Sequence, residues 1–101
     1  MLKEKNIKNT NELENGKVFL EFYAPRCSYC RAVEPTVLKL SEEFPNIEFI
    51  KVNTDEHPEA AESFSVRGLP TFVVLSDKNE LGRLTGARPA SALRELISNI
   101  L

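Results

Sequence analysis

The chain has 101 residues, with 13 Lys and Arg against 15 Asp and Glu, one His, two Cys and no Trp, for a net charge of −2. That length supports one hydrophobic core without a staple of several disulfides or metals, so residues 1–101 are expected to form a single domain. The slightly acidic balance argues against gripping a phosphate backbone, and no apolar stretch is long enough to span a bilayer.

The N-terminal segment Met1-Leu2-Lys3-Glu4-Lys5-Asn6-Ile7 is charged and carries no signal-peptide core, so a cytoplasmic location is expected. A short strand is predicted near Glu4–Ile7 and a brief helix around Thr10–Glu14. Val18-Phe19-Leu20-Glu21-Phe22-Tyr23-Ala24 is a β-prone apolar run with one carboxylate in it, which fits a strand covered on both faces. From Cys30 to Phe44, Val33, Val37, Leu40 and Phe44 recur at helical spacing, with a kink expected at Pro35. Ile47–Val52 reads as a second strand, and Pro58 suits the first turn of a short helix running to Phe64. Thr71–Leu75 is a third buried strand, and Asp77-Lys78-Asn79 is turn material. Glu80–Thr85 follows as an edge strand interrupted by Gly82. The chain closes in a helix after Pro89 with Leu93, Leu96, Ile97 and Ile100 on one face. This alternation predicts an α/β fold, a mixed sheet between helices.

The two cysteines, Cys27-Ser28-Tyr29-Cys30, lie where a strand ends and a helix begins. The first turn of a helix has unpaired N–H groups and a partial positive charge, which stabilise the thiolate, the form that attacks disulfides. Two intervening residues place Cys30 one helical turn inward, where it can resolve a mixed disulfide formed on Cys27. Cys27 is therefore the expected nucleophile and Cys30 the resolving thiol. The competing readings are idle cysteines in an adaptor, or a dimer sharing four thiolates around a metal or iron–sulfur cluster. His57 is the only other strong ligand candidate, and it is expected to cap or precede the short helix.

The segment from Phe22 through Cys27 and Cys30 to Arg31, together with Pro35, Lys51-Val52-Asn53-Thr54-Asp55, Gly68-Leu69-Pro70-Thr71 and Gly86, resembles the thioredoxin family across nearly the whole chain. Phe22-Tyr23-Ala24-Pro25 is also similar to the active-site segment of protein disulfide isomerase domains. The resemblance implies a thioredoxin fold: a central mixed sheet flanked by helices on both faces, with a short N-terminal strand and helix. It implies thiol–disulfide oxidoreductase activity with no organic cofactor, disulfide-containing client proteins, and a reductase-type electron donor such as a flavoenzyme. A monomer is expected. By the same resemblance Pro70 is cis, Leu69 and Pro70 dock substrate backbone, and Gly86, Arg26 and Tyr29 lie on the substrate-binding surface. From the residues alone, Glu21 is either an ion-pair partner of Lys51 or a proton relay to Cys30, and the resemblance favours the relay with Lys51 tuning it. Arg26 and Ser28-Tyr29 depart from the family wording. Tyr29 supplies an N–H where many members have proline, which predicts an extra donor to the Cys27 sulfur.

Overall fold

The computed structural model describes residues 2–101. Five strands form one sheet: β1 (Leu2–Glu4), β2 (Lys17–Tyr23), β3 (Glu48–Asn53), β4 (Thr71–Ser76) and β5 (Asn79–Thr85), in the order β1-β3-β2-β4-β5. The helices are α1 (Ser28–Glu43), α2 (Pro58–Ser63) and α3 (Ala90–Ser98). β3 runs parallel to both β1 and β2, and α1 supplies the crossover that parallel neighbours need. β4 runs antiparallel to β2 and to β5. Its hairpin with β5 turns through Asp77 and Lys78, both at positive φ, the backbone of a tight two-residue turn.

Side chains alternate across the sheet with the period of the pleat. Phe19, Phe49 and Phe72 face α1 and α3, where Val37, Leu40, Leu93 and Ile97 close over them, and the Phe19 and Phe49 rings stack at 4.6 Å. Leu20, Phe22, Ile50 and Val73 face the other side, beneath α2 and the N-terminal segment. Because Phe19 points toward α1, so do Glu21 and Tyr23. Because Phe49 does, so does Lys51. The strand pairing sets Glu21 directly between Lys51 of β3 and Phe72 of β4.

Three local readings need correction. The first strand is Leu2–Glu4 rather than Glu4–Ile7: Leu2 packs on the α1 side of the core, while Ile7 leaves the sheet and is buried on the opposite side. The expected helix at Thr10–Glu14 is a single 3-10 turn over Thr10–Glu12, begun by the Asn9 side chain and ended by buried Leu13. Gly82 does not interrupt β5. The pairing of β4 with β5 slips at Leu81, beside it, and Gly82 lies close under α3, where a Cβ would lie 2.8 Å from Asn99 Nδ2 and 2.9 Å from Leu96 Cδ1, side-chain ends that would have to move aside. α1 runs unbroken through Pro35, which has no N–H to give the Arg31 carbonyl.

Candidate functional site

β2 ends at Tyr23, and Ala24 turns the chain by accepting a hydrogen bond from the Cys27 N–H at 3.1 Å. Cys27 becomes the N-cap of α1 with extended backbone, and its sulfur accepts from the Cys30 N–H at 3.1 Å. Cys27 and Cys30 are joined as a disulfide, their Cα atoms 5.2 Å apart. Cys27 is half-buried and Cys30 buried, so the outer sulfur is the one a partner meets. The donor to the Cys27 sulfur is not the predicted one. The bond comes from Cys30, three residues on, and no bond from the Tyr29 N–H is formed among the described residues, because the N-cap geometry aims the sulfur at the third amide.

The Leu69–Pro70 peptide is cis. Phe22 pairs with Thr71 across β2 and β4, so Pro70, the residue just ahead of β4, stands beside the stretch that leads from β2 to Cys27. Pro70 is buried and Leu69 half-buried. The loop is held by Thr71 Oγ1, which donates to the Gly68 carbonyl at 2.6 Å, and by the Gly86 N–H, which donates to the Pro70 carbonyl at 2.7 Å. Gly86 sits at φ 97°, a conformation glycine adopts without steric cost. Arg26 and Tyr29 flank the disulfide, with Tyr29 68% exposed. The structure thus brings Cys27, Cys30, Leu69, Pro70, Gly86, Arg26 and Tyr29 to one end of the sheet.

Glu21 lies on the sheet face under α1, 2% exposed, and its Oε1 has no hydrogen-bond partner. Burial pushes its pKa from the ordinary 4.5 up to about 7; the nearby charge of Glu34 pushes the same way, while Lys51 pulls it down. The expected Glu21–Lys51 ion pair is not formed. Lys51 Nζ instead bonds Glu34 Oε1 at 2.7 Å and rests over the Tyr23 ring, 4.7 Å from its centroid. Glu34 is partly exposed, so pairing there leaves the ammonium close to water, whereas pairing with Glu21 would draw a full charge pair into the core. The Tyr23 hydroxyl donates to Glu4 at 2.7 Å. Burial first, and that bond second, hold it protonated beyond the usual phenol range.

Glu34 and Tyr23 were not singled out in the sequence. Glu34 carried a readable signal, since it follows Cys30 by four residues and so shares its face of α1. Neutralising it is expected to have a measurable effect. Glu34→Gln removes a charge that raises the Glu21 pKa and releases Lys51, which lowers it, so the Glu21 midpoint should fall below about 7. Isotope-edited NMR titration of the Glu21 carboxyl would read this; an unmoved or higher midpoint would show that Glu34 has no hold on it.

His57 precedes α2 and makes no capping bond through its side chain, and its Nδ1 lies 3.8 Å from Glu59. Among the described residues, no three His, Cys, Asp or Glu side chains are grouped to hold a metal ion, and no helix is long and apolar enough to cross a membrane.

The family model for thioredoxin matches residues 1–99. The chain is 40% identical over 81 residues to thioredoxin-2 of Pyricularia oryzae, an overlap of 80% of this chain and 47% of that protein. It is 35% identical over 78 residues to mitochondrial thioredoxin-3 of Saccharomyces cerevisiae, covering 77% of this chain and 61% of that one. It therefore spans less than two thirds of the length of either relative. The X-ray structure of Fasciola hepatica thioredoxin superposes with a TM-score of 0.82 at 38% identity, over 90% of this chain and 86% of that one.

Proposed function

The chain belongs to the thioredoxin family, and from that premise we propose that it is a single-domain thiol–disulfide oxidoreductase acting on protein disulfides. The observation that carries the reading is the Cys27–Cys30 disulfide at the N-terminus of α1, its outer sulfur reachable and its inner one buried.

In the reducing direction, the Cys27 thiolate attacks one sulfur of a client disulfide. A Cys27–client disulfide forms and the other client sulfur leaves as a thiolate, which takes up a proton. Cys30 then loses its proton and attacks the Cys27 sulfur. The second client thiol departs, and the Cys27–Cys30 disulfide remains, the two electrons having passed to the client. Glu21 is the group suited to take the Cys30 proton: it lies under α1 and its pKa of about 7 lets it exchange a proton near neutrality. Lys51 acts on Glu21 through its charge, restrained by Glu34. Leu69 and Pro70 offer backbone to an extended client segment, with Gly86 holding that loop and Arg26 and Tyr29 beside the nucleophile.

Restoring the dithiol takes two electrons from a reductase of the flavoenzyme type. The protein acts as a cytoplasmic monomer. Insulin reduction by the wild type and by Cys27→Ser, with metal analysis of the purified protein, tests the reading. Turnover that vanishes in Cys27→Ser supports it. Wild type without turnover would leave an adaptor, and half an equivalent per chain of a single metal ion or of an iron–sulfur cluster would mark a dimeric thiolate centre.

A further inference from the structure

The strand pairings bring four chain segments together around the disulfide. The C-terminal ends of β2, β3 and β5 and the N-terminal end of β4 all lie at one end of the sheet, since β2 and β3 are parallel while β4 opposes both β2 and β5. Arginines punctuate this end. Arg26 precedes Cys27, Arg31 is in the first turn of α1, Arg67 precedes Gly68-Leu69-Pro70, and Arg88 follows Gly86 by two residues. All four are exposed.

Their pairing separates them from the other two arginines of the chain. Arg83 and Arg94 are held by Glu80 and Glu43 through two hydrogen bonds each. Among the described residues, none of the four around the disulfide forms an ion pair, whose six instances all involve other cations. Two are instead held by backbone: Arg31 Nη1 donates to the Pro25 carbonyl at 2.7 Å, and Arg88 Nε to the Thr85 carbonyl at 3.1 Å. A carbonyl occupies one N–H and leaves the remaining donors of a planar guanidinium for a carboxylate. The acids at this end lie elsewhere. Asp55 and Glu56 follow β3, across β2 from β4 and β5, with Glu56 accepting from Asn53 Nδ2 at 2.9 Å, and Glu34 is engaged by Lys51. A chain with a net charge of −2 thus presents unpaired cations beside its one reactive centre.

We propose that this arginine rim selects client proteins whose reducible disulfide is flanked by carboxylates, which Arg67 and Arg88 receive on the β4–β5 side of the site. The proposal rests on the oxidoreductase reading above and names its substrate class. Exposed charges act mainly on encounter, so the preference should appear in kcat/KM and weaken as salt screens it.

The test uses three disulfide-looped peptides identical except for flanking residues: Asp and Glu, Asn and Gln, or Lys and Arg. Each rate is divided by that peptide's rate with free dithiothreitol, which removes the peptide's own reactivity. At low ionic strength the acidic peptide should be reduced about tenfold faster than the amide peptide, and the basic one slowest. In 0.5 M salt the three should converge, and Arg67→Glu/Arg88→Glu should reverse the order. Equal rates at low salt, a faster basic peptide, or an unchanged order in the double variant would overturn the proposal. Failure to reduce any of the peptides would overturn the oxidoreductase reading instead.

Discussion

Cys30→Ser should accumulate Cys27–client disulfides and lose turnover, while Cys27→Ser should lose turnover and capture almost nothing. The asymmetry follows from where α1 places each sulfur. Cys27 is the N-cap, half-buried at the mouth of the helix, and in the reduced state its thiolate faces the helix N-terminus. Cys30 is buried one turn inward, where it reaches Cys27 but not a client. Removing the inner thiol blocks only the second step, so the mixed disulfide has no intramolecular exit. Removing the outer thiol blocks the first. Non-reducing electrophoresis after incubation with oxidised insulin would read both. Equal capture by the two variants would reverse or abolish the assigned roles.

Glu21→Gln should have the next largest effect, and in two opposite directions. Turnover should fall, since an amide cannot accept the Cys30 proton, and the loss should be greatest where the carboxylate forms, above about pH 7. Stability should move the other way. The folded-state pKa of Glu21 is raised above its ordinary value. Below pH 4.5 the group is protonated in both folded and unfolded chains and adds no pH dependence. Between 4.5 and about 7 the unfolded chain gives up the proton while the folded protein keeps it, so stability falls as pH rises and levels off above about 7. That displacement corresponds to about 3 kcal/mol. Whatever constant offset the buried amide introduces at acid pH, the stability of Glu21→Gln relative to wild type should climb by about that amount from pH 4 to pH 8. Urea unfolding across this range would show it. A difference that stays flat with pH would mean Glu21 is not a strained buried acid, and wild-type turnover from pH 6 to 9 would remove it from proton transfer.

The parts of the molecule that were legible in the sequence are those that depend on pattern along the chain. The run from Val18 to Ala24 could only be an inner strand, and its single carboxylate stood out as misplaced. Cys27 and Cys30 advertised themselves by spacing and by the strand-to-helix junction, and Leu69-Pro70 by resemblance. What was not legible depends on competition between side chains. The residues of β2 and β3 place Lys51 opposite Glu21, and a pairing followed naturally. Nothing in those strands says that Glu34, on a helix crossing above, offers a better-solvated carboxylate. The first strand was displaced because the polar segment up to Gly16 has little periodicity, and Leu2 is fixed by the face of the sheet it reaches. Gly82 reads as a weak point in a strand until α3 is laid over it, when it becomes the place where β5 closely approaches the Leu96 and Asn99 side chains.

The sheet order also bears on when the site comes into being. β2 is the middle strand, yet one of its two neighbours, β4, lies in the second half of the chain, together with Leu69-Pro70 and the Gly86 that braces them. During N-to-C synthesis, Cys27 and Cys30 leave the ribosome well before the elements that surround them. A nascent chain ending ahead of Thr71 carries both thiols but has one edge of β2 unpaired and no loop facing the sulfurs. Through that interval the cysteines sit on an unfinished polypeptide, and the end of the sheet they share with Leu69-Pro70 and Gly86 is completed only with the last strands.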